Sequence, residues 1–130
     1  SSDLIANGLK NKIPEWSTNV LAQIAGVHCL KNQGYLNKAR KVIFTEKSFL
    51  SKELSSAGFK VYGSDGPFIL FETDVGFSLY EKLLSRKILI RDCSDYEGLD
   101  GKFYRVAVKR HKENKILIKT IREVLKNEQA

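Results

Sequence analysis

The chain has 130 residues, enough for one domain with one modest core, and its 42% hydrophobic and 28% charged content is that of a soluble globular protein. No apolar run approaches the roughly 20 residues that cross a bilayer, so no membrane partner is expected. The net charge of +7 admits anionic small molecules, an anionic surface or nucleic acid, but the lysines are scattered and neither a Gly-rich basic segment nor an RNP-type aromatic motif is present, so nucleic acid is not the expected partner.

In chain order, residues 1–12 read as the end of a helix, interrupted at Pro14. Ser17 can cap the next helix, because its hydroxyl can accept from a free backbone N–H. Val20, Leu21, Ile24 and His28 then share one helical face, and Gly34 marks the end. A second helix begins about Tyr35. Leu36, Ala39, Ile43, Leu50, Leu54 and Ala57 form its stripe, and Gly58 its stop. Phe59 to Tyr62 is a short strand, 63–67 a Gly/Pro turn and Phe68 to Thr73 a stronger strand. Thr73 or Asp74 can cap a short helix over 76–86, with Leu79, Tyr80, Leu83 and Leu84 inward. Strand 87–92, polar loop 94–101 and strand 103–108 follow. The last helix spans about 111–127, with Leu117, Ile118, Ile121, Val124 and Leu125 facing the core. The basic cluster from Lys109 to Lys115 opens this helix. After the first two helices the order is β-β-α-β-β-α. It predicts an α+β fold in which a small, mainly antiparallel sheet is covered by helices.

Two residues stand out chemically. Arg91 and Arg105 each sit inside an apolar, β-prone run. A guanidinium is costly to draw into apolar surroundings unless an acceptor meets it there. Its planar fork suits a carboxylate or phosphate better than an ammonium does. Two such forks on neighbouring strands can hold one small molecule with two anionic groups. The alternative for each is an arginine on the wet face of a half-exposed strand. Other residues invite plainer readings. His28 reads as a packed core histidine, His111 as solvated at a helix start, and Cys93 as packed. Asp92, Asp95, Glu97 and Asp100 belong to a polar loop, and the segment from Gly63 to Gly66 is a turn lacking the helix and lysine of a phosphate loop. No His/Cys/Asp/Glu spacing resembles a metal site.

Cys29 and Cys93, the only cysteines, make no disulfide framework, and no signal peptide is visible, which points to a reducing, cytoplasmic setting. The chain has no methionine and opens S-S-D-L-I, which reads as mid-sequence and suggests a piece of a larger protein.

Four segments together resemble the C-terminal small domain of fold-type-I pyridoxal-phosphate enzymes. P-E-W-S-T-N-V-L-A-Q-I-A-G, residues 14–26, resembles the junction between their large and small domains. I-L-I-R-D-C-S-D-Y-E-G-L, residues 88–99, and F-Y-R-V-A-V-K, residues 103–109, resemble their paired arginine motifs. H-K-E-N-K-I-L-I-K-T-I, residues 111–121, resembles the closing helix. The nearest group is the histidinol-phosphate aminotransferases and, within it, the threonine-phosphate decarboxylases of cobalamin synthesis, whose first arginine motif the loop resembles more closely. The resemblance implies that residues 1–34 are a junction and linking helix and that 35–130 are the small domain. It implies that Arg105 binds a substrate α-carboxylate, that Arg91 faces a substrate phosphate, and that Asn19 is a substrate or phosphate contact. It implies pyridoxal phosphate as cofactor, a phosphorylated amino acid as substrate and a homodimeric parent. The family's Schiff-base lysine, ring-stacking aromatic and pyridinium-pairing aspartate belong to the large domain. No catalytic, cofactor-binding or metal-binding residue is therefore expected in this chain, and the chain alone is expected to be inactive. Beside the decarboxylase and aminotransferase readings stands a free-standing anion- or RNA-binding α+β module.

Overall fold

The computed structural model describes residues 19–128, together with Gly8 and Lys12. The readings for the rest of 1–12, for Pro14 and Trp16 and for the cap at Ser17 lie outside the described residues. The chain divides into two compact units, Ser1–Lys38 and Ala39–Ala130.

In the first unit, helix α1 spans Val20–Lys31, and its N-cap is Asn19. Asn19 is extended, and its Oδ1 accepts from the Leu21 N–H at 2.8 Å. α1 stops before the expected Gly34, because Asn32 caps the following helix by accepting from the Tyr35 N–H at 3.0 Å. No residue of α1 is buried. Val20, Leu21, Ile24, Val27 and Leu30 are all more than half exposed. His28 is exposed too, which corrects the core-histidine reading. Apolar residues run right round this helix, so the spacing that suggested one inward face does not single one out.

Helix α2 spans Gln33–Ser56 and passes from the first unit into the second, where Glu46, Leu50 and Leu54 are buried. It ends as expected at Gly58. With φ at 88°, Gly58 turns the chain so that the Phe59 N–H reaches the Leu54 carbonyl at 3.1 Å. Strands β1 (Lys60–Tyr62) and β2 (Phe68–Glu72) follow. Helix α3 is shorter than expected, Leu79–Leu84, and Ser78 caps it. Thr73 instead extends the edge of the sheet, its N–H donating to the Lys102 carbonyl at 3.0 Å, and Asp74 pairs with Lys102 at 3.1 Å. Leu79 and Leu83 are fully buried, whereas Leu84 is exposed. Strand β3 is only Arg91–Asp92, against the expected 87–92. Lys87 takes a left-handed φ of 63°, and the segment through Ile90 forms no ladder with its neighbour. Strand β4 (Phe103–Ala107) and helix α4 (His111–Glu128) complete the unit.

The four strands form one antiparallel sheet in the order β1-β2-β4-β3. Because side chains alternate, the register defines two faces. Ile69, Phe71, Tyr104 and Val106 face the helices and pack in one core with Leu50, Leu54, Leu79, Leu83, Ile118, Ile121 and Val124. Each fully buried aliphatic side chain contributes about 1.5–3 kcal/mol of burial. The Tyr104 hydroxyl is satisfied within this layer by the Leu79 N–H at 3.2 Å. One charged group is buried beside the core. Glu46 accepts from Asn114 Nδ2 at 2.8 Å and lies 3.1 Å from His111 Nδ1, tying α2 to the start of α4. His111 thus has a carboxylate partner and an aromatic neighbour, Phe49, at 4.9 Å, although it keeps much of its exposure.

Candidate functional site

The candidate site lies on the other face of the sheet, which the core side chains do not use. Tyr62 pairs with Leu70, Leu70 with Arg105, and Arg105 with Arg91, so these four residues form one row across all four strands. Both arginines predicted from the sequence are thus brought together, directly opposite each other on adjacent strands. Asn19 is not brought into this row. It lies in the other unit, as the cap of α1.

Like charges facing each other across an antiparallel pair destabilise a sheet. Each guanidinium is relieved differently. Arg91 forms an ion pair with Asp95, four residues on, and lies over the Tyr96 ring at 5.6 Å. The Asp95 carboxylate holds it still more firmly protonated. Arg105 makes no ion pair among the described residues. Its guanidinium stacks on the Phe68 ring at 4.7 Å, a contact that fixes the plane of the fork while leaving its edge available.

Where β3 stops, Val106 and Ala107 of β4 lose their neighbour on that side. An open groove of about 870 Å³ lies along this gap, lined by Arg91, Arg105, Phe68, Leu89, Lys109 and Ile116 among others. Its volume suits a small molecule, and its lining pairs apolar walls with cations. The arrangement can bind an anion at each arginine and an apolar body between them.

At the far end of the sheet, Tyr62 donates to Glu72 at 2.5 Å, and Lys60 pairs with Glu72 at 3.3 Å. The Tyr62 hydrogen bond, helped by Lys60, lowers the Glu72 carboxyl below its ordinary range. Hydrogen bonding to Tyr62 and Glu72 pushes the Lys60 amine up. An amine held protonated in this way is the reverse of what imine formation needs. The donors on this face are cationic and suit anions.

Cys93 is buried as expected, and burial pushes its thiol up despite the opposing influence of Arg105 and Arg91. Among the described residues no group of His, Cys, Asp and Glu can hold a metal ion, and no helix is long and apolar enough to cross a membrane. Sequence reasoning assigned no site role to Phe68, Tyr62, Leu70, Asp95 or Tyr96. Period-two spacing of Phe68, Leu70 and Glu72 signals a shared face, but which residues they meet depends on register.

No family model matches the chain. It is 37% identical over 111 residues to a histidinol-phosphate aminotransferase of Thermoanaerobacter pseudethanolicus, covering 85% of this chain and 31% of that one. It is 28% identical over 127 residues to a threonine-phosphate decarboxylase of Salmonella typhimurium, covering 96% and 35% respectively. Among solved structures it is similar to the histidinol-phosphate aminotransferase of Clostridium acetobutylicum, with a TM-score of 0.81 and 32% identity, over 95% of this chain and 38% of that one. The chain is a homologue of the fold-type-I pyridoxal-phosphate enzymes. It spans about a third of the length of the curated relatives it matches. Its α+β architecture is shared with the aminotransferase structure.

Proposed function

We propose that this chain is the substrate-anchoring small domain of a pyridoxal-phosphate enzyme acting on a phosphorylated amino acid, with Arg105 holding the α-carboxylate and Arg91 the phosphate. The observation that carries this reading is the pairing of Arg91 with Arg105 in one cross-strand row. Two facing cations are unfavourable in a sheet and become favourable when a ligand supplies two anions. Asn19, at the domain junction, is assigned a supporting contact to substrate or phosphate.

Threonine-phosphate decarboxylation, a step of cobalamin synthesis, is the favoured reaction. The loop D-C-S-D-Y-E-G-L over 92–99 supports it, as does similarity to the Salmonella decarboxylase. When bound by the parent, pyridoxal phosphate supplies the electron sink for cleavage at the substrate's α-carbon. Arg105 fixes the carboxylate and thereby the orientation of the bonds at that carbon. Arg91, gripping the distant phosphate, uses remote binding energy to hold the reacting end in place. Phe68, stacked under Arg105, and Leu70 beside it in the row give that fork an apolar floor.

The second reading, transamination of a phosphorylated amino alcohol, is favoured by the 37% identity to the Thermoanaerobacter aminotransferase. Arg105 would then take the carboxylate of the amino donor. Either reading places the chain in a cytoplasmic, homodimeric parent whose large domain holds the cofactor, with residues 1–34 as the junction and 35–130 as the small domain. The chain alone is inactive in both.

The test is made on the longer parent. A yellow protein that releases carbon dioxide from O-phospho-L-threonine, and loses that activity on Arg105→Ala, supports the decarboxylase. Amino transfer from glutamate without carbon dioxide release moves the assignment to the transaminase. A colourless protein inactive in both assays overturns both.

A further inference from the structure

The two arginines of the row are in different states. Arg105 rests on Phe68 without an ion pair among the described residues, whereas Arg91 is engaged by Asp95 and covered by Tyr96. Both partners of Arg91 come from the loop between β3 and β4, and the loop is built to deliver them. Cys93 anchors its start in the core, its N–H donating to the Phe103 carbonyl at 3.0 Å. The Ser94 N–H donates to Asp92 Oδ1 at 2.8 Å and the Tyr96 N–H to the Cys93 carbonyl at 3.1 Å. These turns fold the chain back, so that Asp95 returns onto the Nη2 end of the Arg91 fork. Gly98, with φ at 82°, and a bond from the Leu99 N–H to the Tyr96 carbonyl at 3.0 Å complete the loop. The Arg91 and Asp95 side chains are 48% and 61% exposed, so the pair stands in water and is held weakly enough to exchange.

We propose that Asp95 is an internal anion that occupies the Arg91 fork until a ligand's anionic group displaces it, so that this loop sets the affinity and charge preference of the second anion site. The inference rests on the reading of Arg91 as an anion anchor. A carboxylate and a phosphate use the same N–H donors of a guanidinium, so the two compete for Arg91. Once displaced, Asp95 remains tethered a few ångströms from the incoming anion and repels it. That repulsion grows with the ligand's charge, so it weakens a dianion more than a monoanion. Asp95 is thus a specificity-determining residue that acts through Arg91.

The whole 130-residue chain, native and Asp95→Asn, is titrated with inorganic phosphate and separately with acetate at low ionic strength. The Arg91 Nε–H resonance reports binding, and Asp95→Ser serves as a second removal of the charge. Both variants are expected to bind phosphate about three- to tenfold more tightly than the native chain and to gain less for acetate. Arg91→Gln, followed through the backbone amide resonances of residues 92–96, is expected to abolish the gain in either background. Unchanged or weaker phosphate binding in the variants overturns the proposal, because Asp95 then does not compete. Equal gains for phosphate and acetate overturn its charge preference. Silence of the Arg91 Nε–H in every protein that retains it overturns it as well, because a released fork must take up phosphate. The carboxylate role of Arg105 fails or stands separately, on the parent's activity after Arg105→Ala.

Discussion

Arg105 and Tyr104 are neighbours on β4 that face opposite ways, and each supports a measurable expectation. Arg105 points to the open face, where stacking on Phe68 fixes its plane. In the parent, Arg105→Ala is expected to lower kcat/KM by at least about a hundredfold, and Arg105→Lys to recover only part of it, since a point charge replaces a planar fork. Steady-state kinetics on the two variants measures both. Equal activity of the lysine variant and the native enzyme would refute the need for the fork. Tyr104 points to the core, and burial pushes its phenol above the ordinary 10.0. The folded state therefore holds this proton more tightly than the unfolded chain does. The stability tied to it is present below about pH 10 and falls as the pH rises further. Tyr104→Phe is expected to cost about 1 kcal/mol at neutral pH, through loss of the acceptor for Leu79 N–H. It is expected to show a shallower alkaline loss than the native chain. Urea denaturation at neutral and alkaline pH checks both, and identical alkaline slopes would count against the burial argument.

At the scale of elements, the periodic signals were legible and the pairings were not. Leu117, Ile118, Ile121 and Val124 face the core of α4 as their spacing requires, and Gly58 ends α2 because its position needs a left-handed φ. The length of β3 was not legible. Residues 87–92 have strand composition, but a ladder needs a neighbour, and the left-handed turn at Lys87 sets the segment off from β4. The same holds for the site. Both arginines stood out as cations in apolar runs, whereas their juxtaposition depends on a register set by the turns. The roles of Asp95 and Tyr96 depend on a loop whose polar composition described any loop. Lys87 carries strain that glycine would not, since its N–H already closes onto the Leu84 carbonyl at 2.8 Å. Lys87→Gly is expected to stabilise the chain by up to about 1 kcal/mol, and the urea midpoint measures it. Glu46→Ala is expected to cost about 1–3 kcal/mol, because it strips the acceptor from buried Asn114 and separates α2 from His111. A variant as stable as the native chain would show that water replaces the carboxylate at no cost.

For the whole molecule, the exposed helix and the open sheet face have the same meaning. α1 presents Val20, Leu21, Ile24, Val27 and Leu30 without burying any of them, a composition suited to a covered helix. The 130-residue chain is expected to self-associate as its concentration rises, and Leu21→Glu with Ile24→Glu to suppress this. Sedimentation of a clean monomer at high concentration would contradict it. The sheet face has a polar counterpart to this exposure, two arginines paired across β3 and β4. Whether Arg105 serves the carboxylate and Arg91 the phosphate is most directly measured by crossing ligands with variants in the parent. O-phospho-L-threonine is compared with L-threonine, which lacks the phosphate, and with O-phosphoethanolamine, which lacks the carboxylate. Arg91→Ala is expected to weaken only the two phosphorylated ligands and Arg105→Ala only the two carboxylates. Equal weakening of all three by either variant would contradict it.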